Sequence, residues 1–159
     1  MSATTARRLG CLAALAFCLS PLIFLRSYAA PPVKTQDFKG KVAPLAKLLE
    51  KTGARLDADA APHWLALVAD DGKVYPLVKD DGARMFFKDE TLLHRPMLLT
   101  GRLLPDSQLL QVVQVHSYVK GELHEIYYWC DICSIRRNEK KLCDCCGGPM
   151  DLKEEPVKK

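Results

Sequence analysis

Five of the seven cysteines in the chain fall in one stretch near its end, YYWCDICSIRRNEKKLCDCCGGPM, residues 127–150. Their spacing forms two C-x-x-C turns: Cys130 with Cys133, and Cys143 with Cys146, the second followed by Gly147 and Gly148. A C-x-x-C turn can aim two thiolates at one point, and glycine lets the backbone fold back beneath a metal. Four converging thiolates make the tetrahedral site that zinc prefers, so these four cysteines are candidate metal ligands. Cys145 lies inside the second turn and offers a rival Cys143-x-Cys145 chelate or a free thiol. Adjacent soft thiolates also suit copper(I). The remaining alternative is a pair of disulfides with one thiol left over.

The segment resembles the zinc-ribbon or rubredoxin-like knuckle family, over about the last sixth of the chain. That resemblance implies a structural four-cysteine site, and Cys145 departs from its usual pattern. Nine residues, 134–142, separate the knuckles and leave room for a small hairpin. They carry Arg136, Arg137, Lys140 and Lys141, read as a solvated turn whose charge lowers the thiol pKa values by proximity.

The elements that must position the cysteines lie upstream. Residues 1–29 read as a signal peptide or an uncleaved anchor: Arg7-Arg8, an apolar run from Leu9 to Leu25, then Ser27-Tyr28-Ala29. Pro21 interrupts the run, and its length is near the short limit for a membrane span, which favours cleavage. The expected location is periplasmic, cell-envelope or extracellular. Without the leader, Arg7, Arg8 and Arg26 are lost from a net charge of +4. The near-neutral remainder argues against nucleic acid as a partner and leaves a protein or envelope component. All five cysteines of the mature chain lie in the tail, and an odd number cannot pair completely within one chain.

Residues 30–40 read as a Pro-led linker. Within it, residues 37–42 resemble the opening strand of thioredoxin-like reductases, but no C-x-x-C follows a short distance downstream. Val42, Leu45, Ala46, Leu48 and Leu49 recur at helical spacing, with Pro44 suited to the first turn and Gly53 to the exit. Strands are expected over residues 64–69, 74–78, 97–104, 109–119 and 123–129, with a strand-like piece over 83–87 and a helical turn started by Asp89. Asp70-Asp71-Gly72 and Asp80-Asp81-Gly82 read as turns, since neither has the spaced carboxylates of a calcium loop.

The fold class is mainly β (α+β): residues 41–129 form a short N-terminal helix plus a meander or barrel of about five strands. The order, with a TGRL run (Thr100, Gly101, Arg102, Leu103) entering a long hairpin, resembles an OB-fold. That resemblance implies a surface for oligosaccharide, oligonucleotide or protein. Residues 130–150 form the cysteine-rich tail, and 151–159 read as a charged disordered end.

His116 and His124 flank the Lys120-Gly121 turn and would need Glu122 or Glu125 to complete a second metal site. Surface strand histidines are the simpler account. His63 and His94 have no partner in sequence. Enzyme signatures are missing: there is no G-x-S-x-G, H-E-x-x-H or phosphate loop, and Ser134 after Cys133 breaks the haem-attachment pattern. Three functions remain: an exported non-catalytic zinc module, a thiol-based copper carrier or disulfide-exchange protein, and a carbohydrate- or oligonucleotide-binding barrel.

Overall fold

A computed structural model describes residues 34–158. The expected leader at residues 1–29 lies outside them. Eight strands form one antiparallel sheet: β1 (Gln36–Pro44), β2 (Leu65–Ala69), β3 (Val74–Pro76), β4 (Pro96–Leu103), β5 (Leu110–Val119), β6 (Glu122–Cys130), β7 (Ile135–Arg137) and β8 (Asp151–Pro156). Their order is β3-β2-β1-β4-β5-β6-β7, with β8 on the other edge of β6. A parallel bridge between Leu77 and Leu110, with the Val78 N–H donating to the Leu110 carbonyl at 2.9 Å, joins the end of β3 to the start of β5. That bridge closes β1 to β5 into a barrel with the strand neighbours of an OB-fold.

Alternation explains the closure. Val42, Leu67, Met97, Leu99 and Leu110 are fully buried and meet Phe86 and Leu92 in one core. Gly82 fits where the chain crosses β5, because a Cβ there would fall on the Val112 carbonyl oxygen. Both Asp-Asp-Gly segments are turns, as expected. Gly72 takes φ 83° between β2 and β3, and the Asp80 carboxylate accepts the Gly82 N–H at 3.1 Å.

Three local expectations change. The linker gives way to β1, which begins at Gln36 and pairs with both β2 and β4. Its alternation is short and interrupted by lysines, so the helical repeat after it dominated. Val42 belongs to that strand, and the helix, α1, is only Leu45–Glu50. Residues 83–87 are not strand-like: a 3-10 turn, Arg84–Phe87, occupies them, while the helical turn expected at Asp89 is present as a second 3-10 turn, Glu90–Leu92, capped by the Asp89 carboxylate, which accepts the Thr91 N–H at 3.0 Å.

The third change is the charged end. Residues 151–156 form β8, paired along β6 from Trp129↔Asp151 to His124↔Pro156. Little apolar surface holds it. It satisfies the open backbone edge of β6, while Glu154 pairs with Arg95 and Lys153 with Asp131. Backbone pairing leaves no signature in composition. Among the described residues no helix is long and apolar enough to cross a membrane.

Candidate metal centre

Strand β6 delivers the first candidate ligand, Cys130. Ile126, Tyr128 and Cys130 point inward, while Tyr127 stacks edge-on against Trp129 and lies under the Arg136 guanidinium at 4.2 Å. The strand ends at Cys130, so the barrel passes into the first knuckle without a linker, as the sequence implied. Cys130, Cys143 and Met150 belong to the barrel's hydrophobic core, with Cys133, Ile135 and Leu152 packed against it. The cysteine segment is therefore an extension of the core.

The two knuckles share one backbone form. The Ser134 N–H donates to the Cys130 carbonyl at 2.8 Å, and the Gly147 N–H to the Cys143 carbonyl at 2.9 Å. Each closing residue is left-handed, Ser134 at φ 52° and Gly147 at φ 68°. Glycine takes that conformation freely, and serine tolerates it at some cost. The second knuckle adds a bond from the Cys143 N–H to the Gly148 carbonyl at 2.8 Å, and the Gly148 N–H donates to the Cys146 sulfur at 3.4 Å.

These turns bring together the Sγ atoms of Cys130, Cys133, Cys143 and Cys146, all within 4.8 Å of one another. Cys130 and Cys146 are separated by 3.5 Å between sulfurs. A disulfide needs about 2.05 Å, so this pair is not bonded. Tetrahedral zinc with Zn–S near 2.3 Å requires sulfur separations of about 3.8 Å. The four thiols thus fit a metal ion, and they are the four that the spacing singled out. Cys145 is exposed and outside that cluster, although its thiol lies against Cys133.

Backbone dipoles and neighbouring thiols set the ionisation. N–H groups of Cys146 and Cys145 hold Cys143 down, to about 7. The Cys133 N–H pulls Cys130 down as well, but burial and the thiols of Cys146 and Cys143 outweigh it, and its net shift is upward. Cys133 is pushed up by the thiols of Cys145 and Cys146, then by burial. Crowded thiols resist collecting negative charge, and a divalent cation reverses that preference.

The insert's cations do not supply this effect. Lys141 pairs with Asp144 at 2.9 Å, Arg137 approaches Asp144 at 3.6 Å, Lys140 reaches Asp89 at 3.3 Å and Arg136 pairs with Glu125. Their charge is spent on carboxylates, which corrects the expectation that they lower the thiol pKa values.

The histidines stay apart from the centre. His116 stands opposite Glu125 and His124 opposite Ser117, so the two do not face each other. His124 Nδ1 lies 3.0 Å from the Glu122 carbonyl, and the Glu125 carboxylate is taken by Arg136. His116 Nδ1 is buried with no hydrogen-bond partner. His63 Nδ1 is 3.3 Å from the Lys79 ammonium.

Sequence reasoning missed a buried anchor beside the knuckles. The Tyr128 hydroxyl donates to the Asp89 carboxylate at 2.8 Å, which also accepts the Thr91 hydroxyl at 2.6 Å. Burial opposes the Asp89 charge, but hydrogen bonds from Thr91, Tyr128 and Lys140 outweigh it and hold the carboxyl below its ordinary range. Burial and Asp89 together push the Tyr128 phenol upward. One carboxylate thereby joins the second 3-10 turn, β6 and the insert. Only Asp89's role as a cap was legible.

Comparison with known protein families, curated proteins and solved structures finds no match.

Proposed function

We propose that this chain is an exported, non-catalytic zinc-binding module whose ion fastens the C-terminal knuckles to the end of a small β-barrel that binds a protein or envelope partner. The observation that carries the proposal is the convergence of the four Sγ atoms within 4.8 Å, from two knuckles of matching backbone form. Cys130, Cys133, Cys143 and Cys146 would hold the ion. Bound zinc supplies charge neutralisation and a fixed tetrahedral node, with binding free energy of about 10–16 kcal/mol in zinc-finger peptides. Four thiolates fill a tetrahedral shell and leave no position for substrate, which favours a structural role. Export rests on the basic start, the apolar run and the small residues Ser27 and Ala29 of the sequence.

The test is metal content with a thiol count on protein purified without added metal. One zinc per chain, with Cys145 alone reacting until a chelator is added, supports the module. No metal and titratable disulfides would sink it. A second reading has its own observation: Cys145 and Cys146 are adjacent and both exposed. They favour a copper(I) carrier or a disulfide-exchange protein, for which the same assay returns copper or a labile, redox-active thiol pair.

A further inference from the structure

A cleft of about 470 Å³ opens on the barrel face beside α1, within the size range of small-molecule sites. Its apolar lining is aliphatic: Ala43 from β1, Leu48 from α1, Val68 and Ala69 from β2. Helix α1 buries none of its residues fully, so the Leu45, Leu48 and Leu49 stripe is only partly covered by the barrel. Core packing accounts for part of that stripe and leaves the rest beside the cleft.

The rim is basic and unneutralised. Lys41, Lys47, Lys51 and His94 line it, all exposed. Among the described residues none of these lysines takes part in an ion pair. The lining carboxylate, Asp70, faces Lys39 at 3.7 Å instead. In the knuckle insert, by contrast, all four cations have carboxylate partners. His94 is also held in the left-handed region, φ 62°, its N–H donating to the Val42 carbonyl at 2.8 Å. A non-glycine residue kept there by neighbouring structure is a recurrent feature of ligand sites.

We infer that this cleft binds a single-chain anionic amphiphile, with a phosphate or carboxylate head on the lysine rim and an aliphatic tail on the Ala43, Leu48, Val68 and Ala69 floor. Free cations select an anionic head. An aliphatic floor, with the His94 imidazole at the rim as the one ring among the described lining residues, suits an acyl tail better than sugars or bases, which stack on aromatic faces. A cleft of bounded volume fits one molecule better than it fits a bilayer surface. The site is independent of the metal centre and stands or falls without it.

Dodecyl phosphate and dodecyl maltoside, each below its micelle concentration, and inorganic phosphate should be titrated separately into the isotope-labelled chain and followed by amide NMR. Saturable one-to-one binding of dodecyl phosphate is expected, with shifts confined to α1, the ends of β1 and β2 that line the cleft, and His94. The neutral detergent should bind at least about tenfold more weakly, and inorganic phosphate should not saturate. The double variant Lys47→Glu, Lys51→Glu changes two exposed side chains, so it should fold normally and bind dodecyl phosphate about tenfold more weakly. Equal affinity for the maltoside, unchanged affinity in the double variant, or no saturable binding of dodecyl phosphate would each overturn the assignment.

Discussion

The barrel and the knuckles share one sheet but differ in what holds them. In the barrel, Val42, Leu67, Met97, Leu99 and Leu110 come from four strands and are fully buried against one another. Between Cys130 and Met150, only Cys130, Cys143 and Met150 reach that core fully, while Ile132 and Leu142 are 77% and 66% exposed. Burial of apolar surface closes the first region, at about 25 cal/mol for each Å² removed from water. The second has too little such surface and depends on its sulfur centre, on backbone pairing and on ion pairs. A ligand substitution should therefore loosen the knuckles and leave the barrel folded, whereas a core substitution should destabilise the barrel, with metal content unchanged in the molecules that stay folded.

The largest expected effect is at the thiols. Cys143→Ser removes a buried ligand and should abolish stoichiometric metal. Hydrogen exchange should then open β7 and β8 while β1 to β5 stay protected. Melting of the whole chain as one unit in that variant would erase the distinction between the regions.

Gly82→Ala addresses the barrel. The added methyl collides with the Val112 backbone, which cannot swing aside as a side chain can, and should cost about 2–3 kcal/mol. Denaturant unfolding followed by tryptophan fluorescence would measure the loss, and metal content should be unchanged in the folded fraction.

Tyr128→Phe lies at the join. It leaves one Asp89 oxygen short of a donor in a buried site and should cost about 1–2 kcal/mol, with Lys140 still in place. Double-mutant analysis with Asp89→Asn should show coupling between the two, because they share one hydrogen bond.

Proton competition comes next. Cys143 in the metal-free protein sits below the ordinary thiol range, at about 7. Its contribution to folding is complete above the unfolded thiol value and is lost as pH falls through about 7. Below that point metal uptake must displace one more proton than above it, so apparent affinity should steepen its fall with acid there. Zinc titrations across pH 6–8 would show the change in slope (about one proton per metal).

Smallest of all should be Cys145→Ser. An exposed thiol outside the cluster should be removable with stability within about 0.5 kcal/mol and metal retained. Loss of metal in that variant would place Cys145 in the coordination shell and favour the rival chelate.

The four-cysteine cluster was legible because C-x-x-C spacing fixes geometry locally: a turn of four residues decides where each pair of sulfurs points. The hairpin strands and both Asp-Asp-Gly turns were legible for the same reason. A barrel was anticipated from strand number and order, but the contact that closes it was not, because the Leu77–Leu110 bridge joins residues far apart in sequence and uses backbone groups that every residue carries. Strand β8 was hidden twice, by its lysines and glutamates and by dependence on an edge that only the folded β6 presents. The 3-10 turn at Arg84–Phe87 carries aromatic content that reads as strand, whereas the turn at Glu90–Leu92 was legible from its Asp89 cap. Only the tertiary fold gathers Lys41, Lys47 and Lys51 around an aliphatic floor.

Extended X-ray absorption at the metal edge of the purified chain tests the central claim most directly. The account predicts a zinc edge with one shell of four sulfur scatterers near 2.3 Å and no light-atom ligands. A copper edge, a mixed sulfur and oxygen or nitrogen shell, or a metal-free protein whose cysteines are oxidised would contradict it.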